Sequence, residues 1–210
     1  MIAIINHGLG NFRSVISAVE YLGEKVLVTN KAIDIKKCTK LIIPGVGNFK
    51  YAMDNLNKLN IIETLNEEVI VKNKNILGIC LGCQLLLNSS EEGEDLIEED
   101  KKVKGLGWIN GEVRVFKKNK NFPVTHVGWN EVSFLDDPIF YNMPKKVLMY
   151  FNHSYFTDIK DRSHIIGTTN YSTQFSSIFK KNNIYGIQPH PEKSQKFGIN
   201  LLKNFIQNVS

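Results

Sequence analysis

Cysteine is scarce in this chain of 210 residues: Cys38, Cys80 and Cys83 are its three thiols. So small and odd a number builds no disulfide framework and suits a reducing compartment, so a functional thiol here acts chemically. Long apolar runs are lacking too, and none approaches the roughly 18 residues a membrane-spanning helix needs. The opening, Met1 to His7, has no cationic start, extended apolar stretch or small-residue cleavage site. It reads as a buried first strand, and the chain as cytoplasmic. Charge of one sign is also missing. Twenty-six basic against 21 acidic residues leave +5, mostly Lys set among Asn and Ile. A nucleic-acid reader would show a basic stripe with interleaved aromatics; Lys36-Lys37 and Lys117 to Lys120 are too short and read as solvated surface. There is no Pro/Gly/Ser linker, repeat or low-complexity tract, so residues 1–210 read as one domain.

Forty-two per cent of the residues are apolar. A chain of this length buries roughly 70% of its extended surface without metal or disulfide staples. Ile2 to Ile5 reads as a strand, and Phe12, Val15, Ile16, Val19 and Leu22 lie on one helical face closed by Gly23. Strands follow at Lys25 to Thr29, Leu41 to Ile43 and Ile76 to Ile79, with helix from Phe49 to Val71 broken near Asn60. Strand and helix alternating over short connections predict right-handed crossovers and a parallel sheet covered on both faces. Beyond a helix starting near Leu81, the charged stretch Glu91 to Lys104 leads into short strands. These fall at Val113–Phe116, Val124–Val127, Val147–Phe151, Ile165–Thr169, Ser176–Phe179 and Ile184–Gln188, before a last helix from Phe197 to Ile206. The fold class is α/β with a mixed sheet.

Asn75 to Leu87 carries the clearest chemistry: an apolar strand, then Gly78-Ile79-Cys80-Leu81-Gly82, then an apolar helix. G-x-C-x-G is the thiol form of the strand-to-helix elbow that exposes a nucleophile, where the neighbouring glycines permit the turn. Amides and dipole at a helix N-terminus favour a thiolate in such a place, and the Leu81 amide is the natural first oxyanion donor. The plainer alternative is a buried cysteine acting as a small hydrophobe. A second segment, Gln188-Pro189-His190-Pro191-Glu192, holds an imidazole between two prolines with a carboxylate two residues on. Such a histidine is either a satisfied surface residue in a turn or a general base with its orienter, and in the second case Cys80, His190 and Glu192 form a triad.

Together G-I-C-L-G-x-Q-L-L and Q-x-H-P-E resemble the class I glutamine amidotransferases. The segments Gly8 to Asn11, Pro44 to Gly47, Ser90 to Gly93, Gly105 to Trp108, His126 to Asn130 and His153 to Tyr155 resemble their imidazole glycerol phosphate synthase branch. The resemblance implies a flavodoxin-like fold with a mostly parallel central sheet, helices on both faces and an additional β-rich part. It implies a glutaminase that needs no cofactor or metal and sends ammonia to a separate (βα)8-barrel cyclase in a heterodimer. It assigns a second oxyanion donor to the backbone of Val46 or Gly47, beside Leu81. Glutamine binding falls to Gly47, Gln84, Glu92 and the backbone of His153, Ser154 and Tyr155, with Glu91 a candidate for the same acidic role. Asn11, Trp129 and Lys193 are expected to face the partner.

Cys83 stands where the family usually has Met, creating C-x-x-C; apolar filling and a redox pair are the two readings. Pro189, Thr125 and Asn6-His7 also depart from the usual pattern. Asn6-His7 and Thr125-His126 keep open an alternative acceptor, a sugar amidated in surface polysaccharide biosynthesis.

Overall fold

The computed structural model describes residues 1–8, 12–93, 102–118 and 120–209. Its helices are α1 (Arg13–Tyr21), α2 (Ala32–Lys37), α3 (Phe49–Lys58), α4 (Ile62–Asn66), α5 (Leu81–Leu85) and α6 (Gln195–Gln207). Its strands are β1 (Ile2–Ile5), β2 (Val26–Thr29), β3 (Lys40–Ile43), β4 (Ile76–Ile79), β5 (Leu87–Ser90), β6 (Val103–Lys104) and β7 (Ile109–Val115). They continue as β8 (His126–Phe134), β9 (Lys146–His153), β10 (Tyr155–Ile159), β11 (Ile165–Asn170), β12 (Gln174–Lys181) and β13 (Ile184–Ile187).

Nine strands form one sheet in the order β2-β1-β3-β4-β13-β12-β11-β8-β9. The first five are mutually parallel, and from β13 onward each neighbour is antiparallel. Order 2-1-3-4 with a fifth parallel strand is flavodoxin-like, as expected. All four residues of β1, β4 and β13 are buried, since helices cover both faces. Ile2 and Ile4 enter the core shared with α1 and α6, through Val15, Val19, Leu201 and Phe205, whereas Ala3 and Ile5 face Phe49, Leu56 and Leu85. At the C-terminal end of α6, Lys40 Nζ donates to the carbonyls of Phe205, Ile206 and Val209, neutralising the negative end of the helix dipole. A second sheet, β10-β7-β5-β6, carries the added β-rich part.

The break near Asn60 is real: Asn60 takes φ 53° between α3 and α4, and a π-helical turn, Glu67–Val71, ends the segment. Other boundaries differ. The helix after Cys80 stops at Leu85, because Leu87–Ser90 pairs in parallel with β7. The strand expected at Val124–Val127 begins at His126 and runs to Phe134. Pro123 and Thr125 instead give their carbonyls to the Tyr171 hydroxyl, which holds that stretch as a loop. α2, β6 and β10 were not legible as elements. Among the described residues no helix is long and apolar enough to cross a membrane.

Candidate functional site

Cys80 follows β4 with φ 52° and ψ −110°, a conformation L-residues avoid. It is held there from three sides. Its N–H donates to Ile187 O of the neighbouring strand at 2.8 Å, and its carbonyl accepts from Cys83 N and Gln84 N as α5 begins. A Cβ on Gly82 would lie 1.7 Å from Ile43 O, and one on Gly78 2.6 Å from Gly82 O. The two glycines of G-x-C-x-G are thus demanded by backbone approach. The thiol sits outside the carboxyl ends of the parallel strands, where open α/β sheets place ligands.

The partner histidine arrives by register. β13 pairs with β4 so that Ile187 opposes Ile79; Cys80 is one step past that pair, and His190 reaches across three residues later. His190 Nδ1 lies 2.8 Å from Glu192 Oε1, and both side chains are buried. Neither His190 Nε2 nor Glu192 Oε2 forms a hydrogen bond to any described residue. Burial alone would lower the imidazole, but the Cys80 sulfur and the Glu192 carboxylate overcome it and push His190 up to about 10. The imidazole therefore stores a proton between a sulfur and a carboxylate.

A cavity of 280 Å³ opens over Cys80, with Val46 and Gly47 at one side, Gln84 and Glu92 at another and His153 to Tyr155 opposite. A wider cleft of 920 Å³ between α1 and α6 is lined by Glu192 but by neither Cys80 nor His190. Of the two acidic candidates, Glu92 faces the cavity, its Oε2 accepting from Phe49 N at 2.8 Å, and burial raises its carboxyl above the usual range. Glu91 turns away to Val115 N and Arg114. Gln84 Nε2 donates to Tyr155 O at 2.9 Å, and His153 Nδ1 lies 2.7 Å from the same oxygen. Both lone pairs of that carbonyl are thereby used. Ser154 O accepts from Phe116 N.

The oxyanion groups are arranged otherwise than expected. Leu81 N–H, the expected first donor, is already engaged by Gly45 O at 3.3 Å. Gly45 O and Val46 N–H belong to one trans peptide and point in opposite directions. While the carbonyl faces Leu81, the Val46 N–H faces away. Gly47, at φ 125°, gives the loop a backbone that can turn. His7, fully buried, holds the start of this loop through Nε2 to Pro44 O at 2.7 Å.

Trp129 and Lys193 are exposed, and Lys193 Nζ lies 5.7 Å above the Tyr150 ring. Val127, Trp129, Leu148 and Tyr150 share one face of the β8–β9 pair, an apolar surface beside the cavity. Asn11 lies outside the described residues, as do Leu9, Gly10 and the 94–99 part of the acidic run. Sequence reasoning missed two residues. Gln188 lay within Q-x-H-P-E, two positions before His190 and so on the same side of an extended chain; His7 carried no signal beyond its departure from the usual pattern.

A family model for glutamine amidotransferase class-I matches residues 3–209. The chain belongs to this family. It is 44% identical over 210 residues, the full length of both chains, to imidazole glycerol phosphate synthase subunit HisH 2 of Methanococcus maripaludis. It is 39% identical, again over both full lengths, to HisH 2 of Pseudomonas aeruginosa. A solved glutamine amidotransferase structure shares the fold at TM-score 0.75 and 14% identity, covering 98% of this chain and 97% of its own. Such full-length relatives do not favour the surface-sugar alternative. The redox reading of Cys83 also recedes, since it is fully buried, and burial together with Cys80 pushes its thiol well up. All three cysteines are free.

Proposed function

We propose that Cys80, His190 and Glu192 hydrolyse the side-chain amide of L-glutamine. Glu92 and Gln84 hold the substrate in the cavity, with the His153 to Tyr155 turn as its far wall. The Cys80 sulfur attacks the amide carbon, and the tetrahedral oxyanion is met by backbone N–H groups. The proton on His190 Nε2 passes to the departing nitrogen, releasing ammonia and leaving a glutamyl thioester. His190 then takes a proton from water, whose oxygen attacks the thioester carbon; glutamate leaves and the thiol is restored. Glu192 keeps the imidazole oriented throughout. The carrying observation is the buried His190–Glu192 pair set against a sulfur on a backbone bend that five parallel strands and two glycines maintain.

The activity is that of the glutamine amidotransferase subunit of imidazole glycerol phosphate synthase, in histidine biosynthesis. Its setting in this reading is cytoplasmic. The ammonia goes to a separate subunit, a (βα)8-barrel cyclase docked on the Val127, Trp129 and Leu148 face with Lys193 at its edge. A covered transfer is required because free ammonia is protonated in water at neutral pH. The resting loop explains why docking would matter: turning the single Gly45–Val46 peptide frees Leu81 N–H and presents Val46 N–H together. An acceptor subunit that prefers the turned loop shifts that population.

Mixing the purified chain with a candidate cyclase should raise glutamine hydrolysis by at least tenfold, and Cys80→Ala should abolish it while leaving the complex intact. The glutamine analogue 6-diazo-5-oxo-norleucine should label Cys80. Full-rate hydrolysis by the isolated chain would refute the loop gating, and unchanged hydrolysis in Cys80→Ala would refute the triad.

A further inference from the structure

Gln188 is fully buried, and its backbone N–H is already satisfied by Ser177 O at 2.8 Å. Its side-chain amide sits among three polar groups. Nε2 lies 3.8 Å from Cys80 Sγ, while Oε1 faces Gln84 Nε2 at 3.2 Å and Cys83 Sγ at 3.9 Å. Which end faces the sulfur follows from one backbone carbonyl. Tyr155 O can only accept, so Gln84 must turn its NH2 toward it; the second hydrogen of that NH2 then meets Gln188 Oε1. With its oxygen so fixed, Gln188 has its NH2 against the nucleophile. The Cys83 thiol, unusual for the family, donates to the same oxygen and reinforces the orientation.

The same carbonyl orders the other side of the cavity. His153 Nδ1 must donate to Tyr155 O, so its Nε2 accepts from His126 Nδ1 at 3.0 Å, and His126 Nε2 accepts from Asn130 Nδ2 at 3.1 Å. Every donor along this path has one permitted direction. Gln84 and the two histidines meet only at Tyr155 O, where Gln84 Nε2 and His153 Nδ1 donate independently.

We propose that Gln188 is a positioning residue of the nucleophile: its N–H donates to the Cys80 sulfur from the sheet side, holding the sulfur toward His190 and stabilising its negative charge before glutamine binds. Gln84, assigned above to substrate, thus has a second task in keeping the Gln188 amide from flipping. The proposal rests on the glutaminase reading only for the identity of the substrate. The titratable groups around the sulfur are His190 with Glu192 beside it, Cys83 on α5, and Glu92 and His153 lining the cavity, and the sulfur also lies 3.9 Å from Asn152 O. None of them supplies a donor on the side where Gln188 lies except Cys83, and its thiol faces Gln188 Oε1.

The test uses the full chain and two variants. Gln188→Met keeps the volume and removes the donor; Gln188→Glu keeps the shape and the contact to Gln84 but sets an oxygen against the sulfur. Iodoacetamide alkylation of Cys80, followed across pH by mass spectrometry, should show the midpoint moving upward in Gln188→Met and further in Gln188→Glu. At neutral pH the rate should fall about tenfold, a charge-assisted hydrogen bond being worth roughly that factor. In the complex with an acceptor subunit, kcat for glutamine hydrolysis should fall similarly, with KM within about twofold. An alkylation profile unchanged in Gln188→Glu would overturn the proposal, even if Gln188→Met fails to fold. Because alkylation needs no glutamine, absence of hydrolysis in the parent chain would refute the glutaminase reading while the alkylation profile still decides the role of Gln188.

Discussion

The two halves of the large sheet solve different problems. From β2 to β13 the strands are parallel, β1, β4 and β13 among them buried throughout, and their carboxyl ends carry a sulfur and an imidazole in fixed register. From β12 to β9 they are antiparallel, and β8 and β9 alternate buried with exposed residues, leaving Val127, Trp129 and Leu148 outside. In the first half, backbone approaches backbone closely at Gly78 and Gly82. The second half buries two histidines among aromatic rings, His126 stacked between Phe151 and Tyr171 and His153 tilted against Phe116. The strained bend at Cys80 lies in the first half, and the second leaves one face of the β8–β9 pair exposed.

Glycine replacements should separate the halves most sharply. Gly82→Ala forces a methyl into Ile43 O and should cost more than about 4 kcal/mol, so that little soluble protein survives. Gly128→Ala meets no atom within 4 Å and is opposed only by φ 126°, about 1–3 kcal/mol by chemical denaturation.

The halves should also respond to pH in opposite directions. His190 is raised from 6.5 to about 10, so its contribution to stability is complete below pH 6.5 and lost as pH rises toward 10. Burial lowers His126 to about 4 and His153 to about 3. Their contribution is complete above pH 6.5 and is lost as pH falls through 4 to 3, because the unfolded chain takes up the protons first. Urea midpoints measured across pH should therefore decline on both sides. His190→Asn should flatten the alkaline limb, and His126→Phe the acid limb, each by on the order of 2 kcal/mol.

Lys40→Met should remove the charge that caps α6 and lower stability by about 1–2 kcal/mol, chiefly in the parallel half. Hydrogen exchange should report the loss at Phe205 to Val209 first. Smallest of all, Lys146→Ala breaks an exposed cross-strand pair with Glu131 on the open face of β8–β9. It should change the melting free energy by less than about 0.5 kcal/mol.

The same division governs what could be read from sequence. β1 and β4 were legible because strands buried on both sides are unbroken apolar runs, and the Cys80 bend and the His190–Glu192 pair because their spacing travels with their turns. β5 and β10 were not, since Leu87 continues an apolar helix and Thr157 is a polar residue in the interior, satisfied by Ser176 across the fold. The choice between Glu91 and Glu92 needed Phe49 N–H to direct one of them inward. Gln188 was visible as a letter in a motif, but its task depended on a carbonyl 33 positions away in the chain, at Tyr155. The engaged state of Leu81 N–H belongs to loop geometry that no spacing encodes.

The bend at Cys80 behaves as a loaded spring. Its unfavourable φ and ψ, worth about 1–3 kcal/mol, are borne only while the Ile187 carbonyl, the Ile43 wall and the first turn of α5 all press on it. Relaxation of any one support releases the thiol from its aim at little cost to the rest of the chain. On warming, this enzyme should fall silent some degrees before it melts.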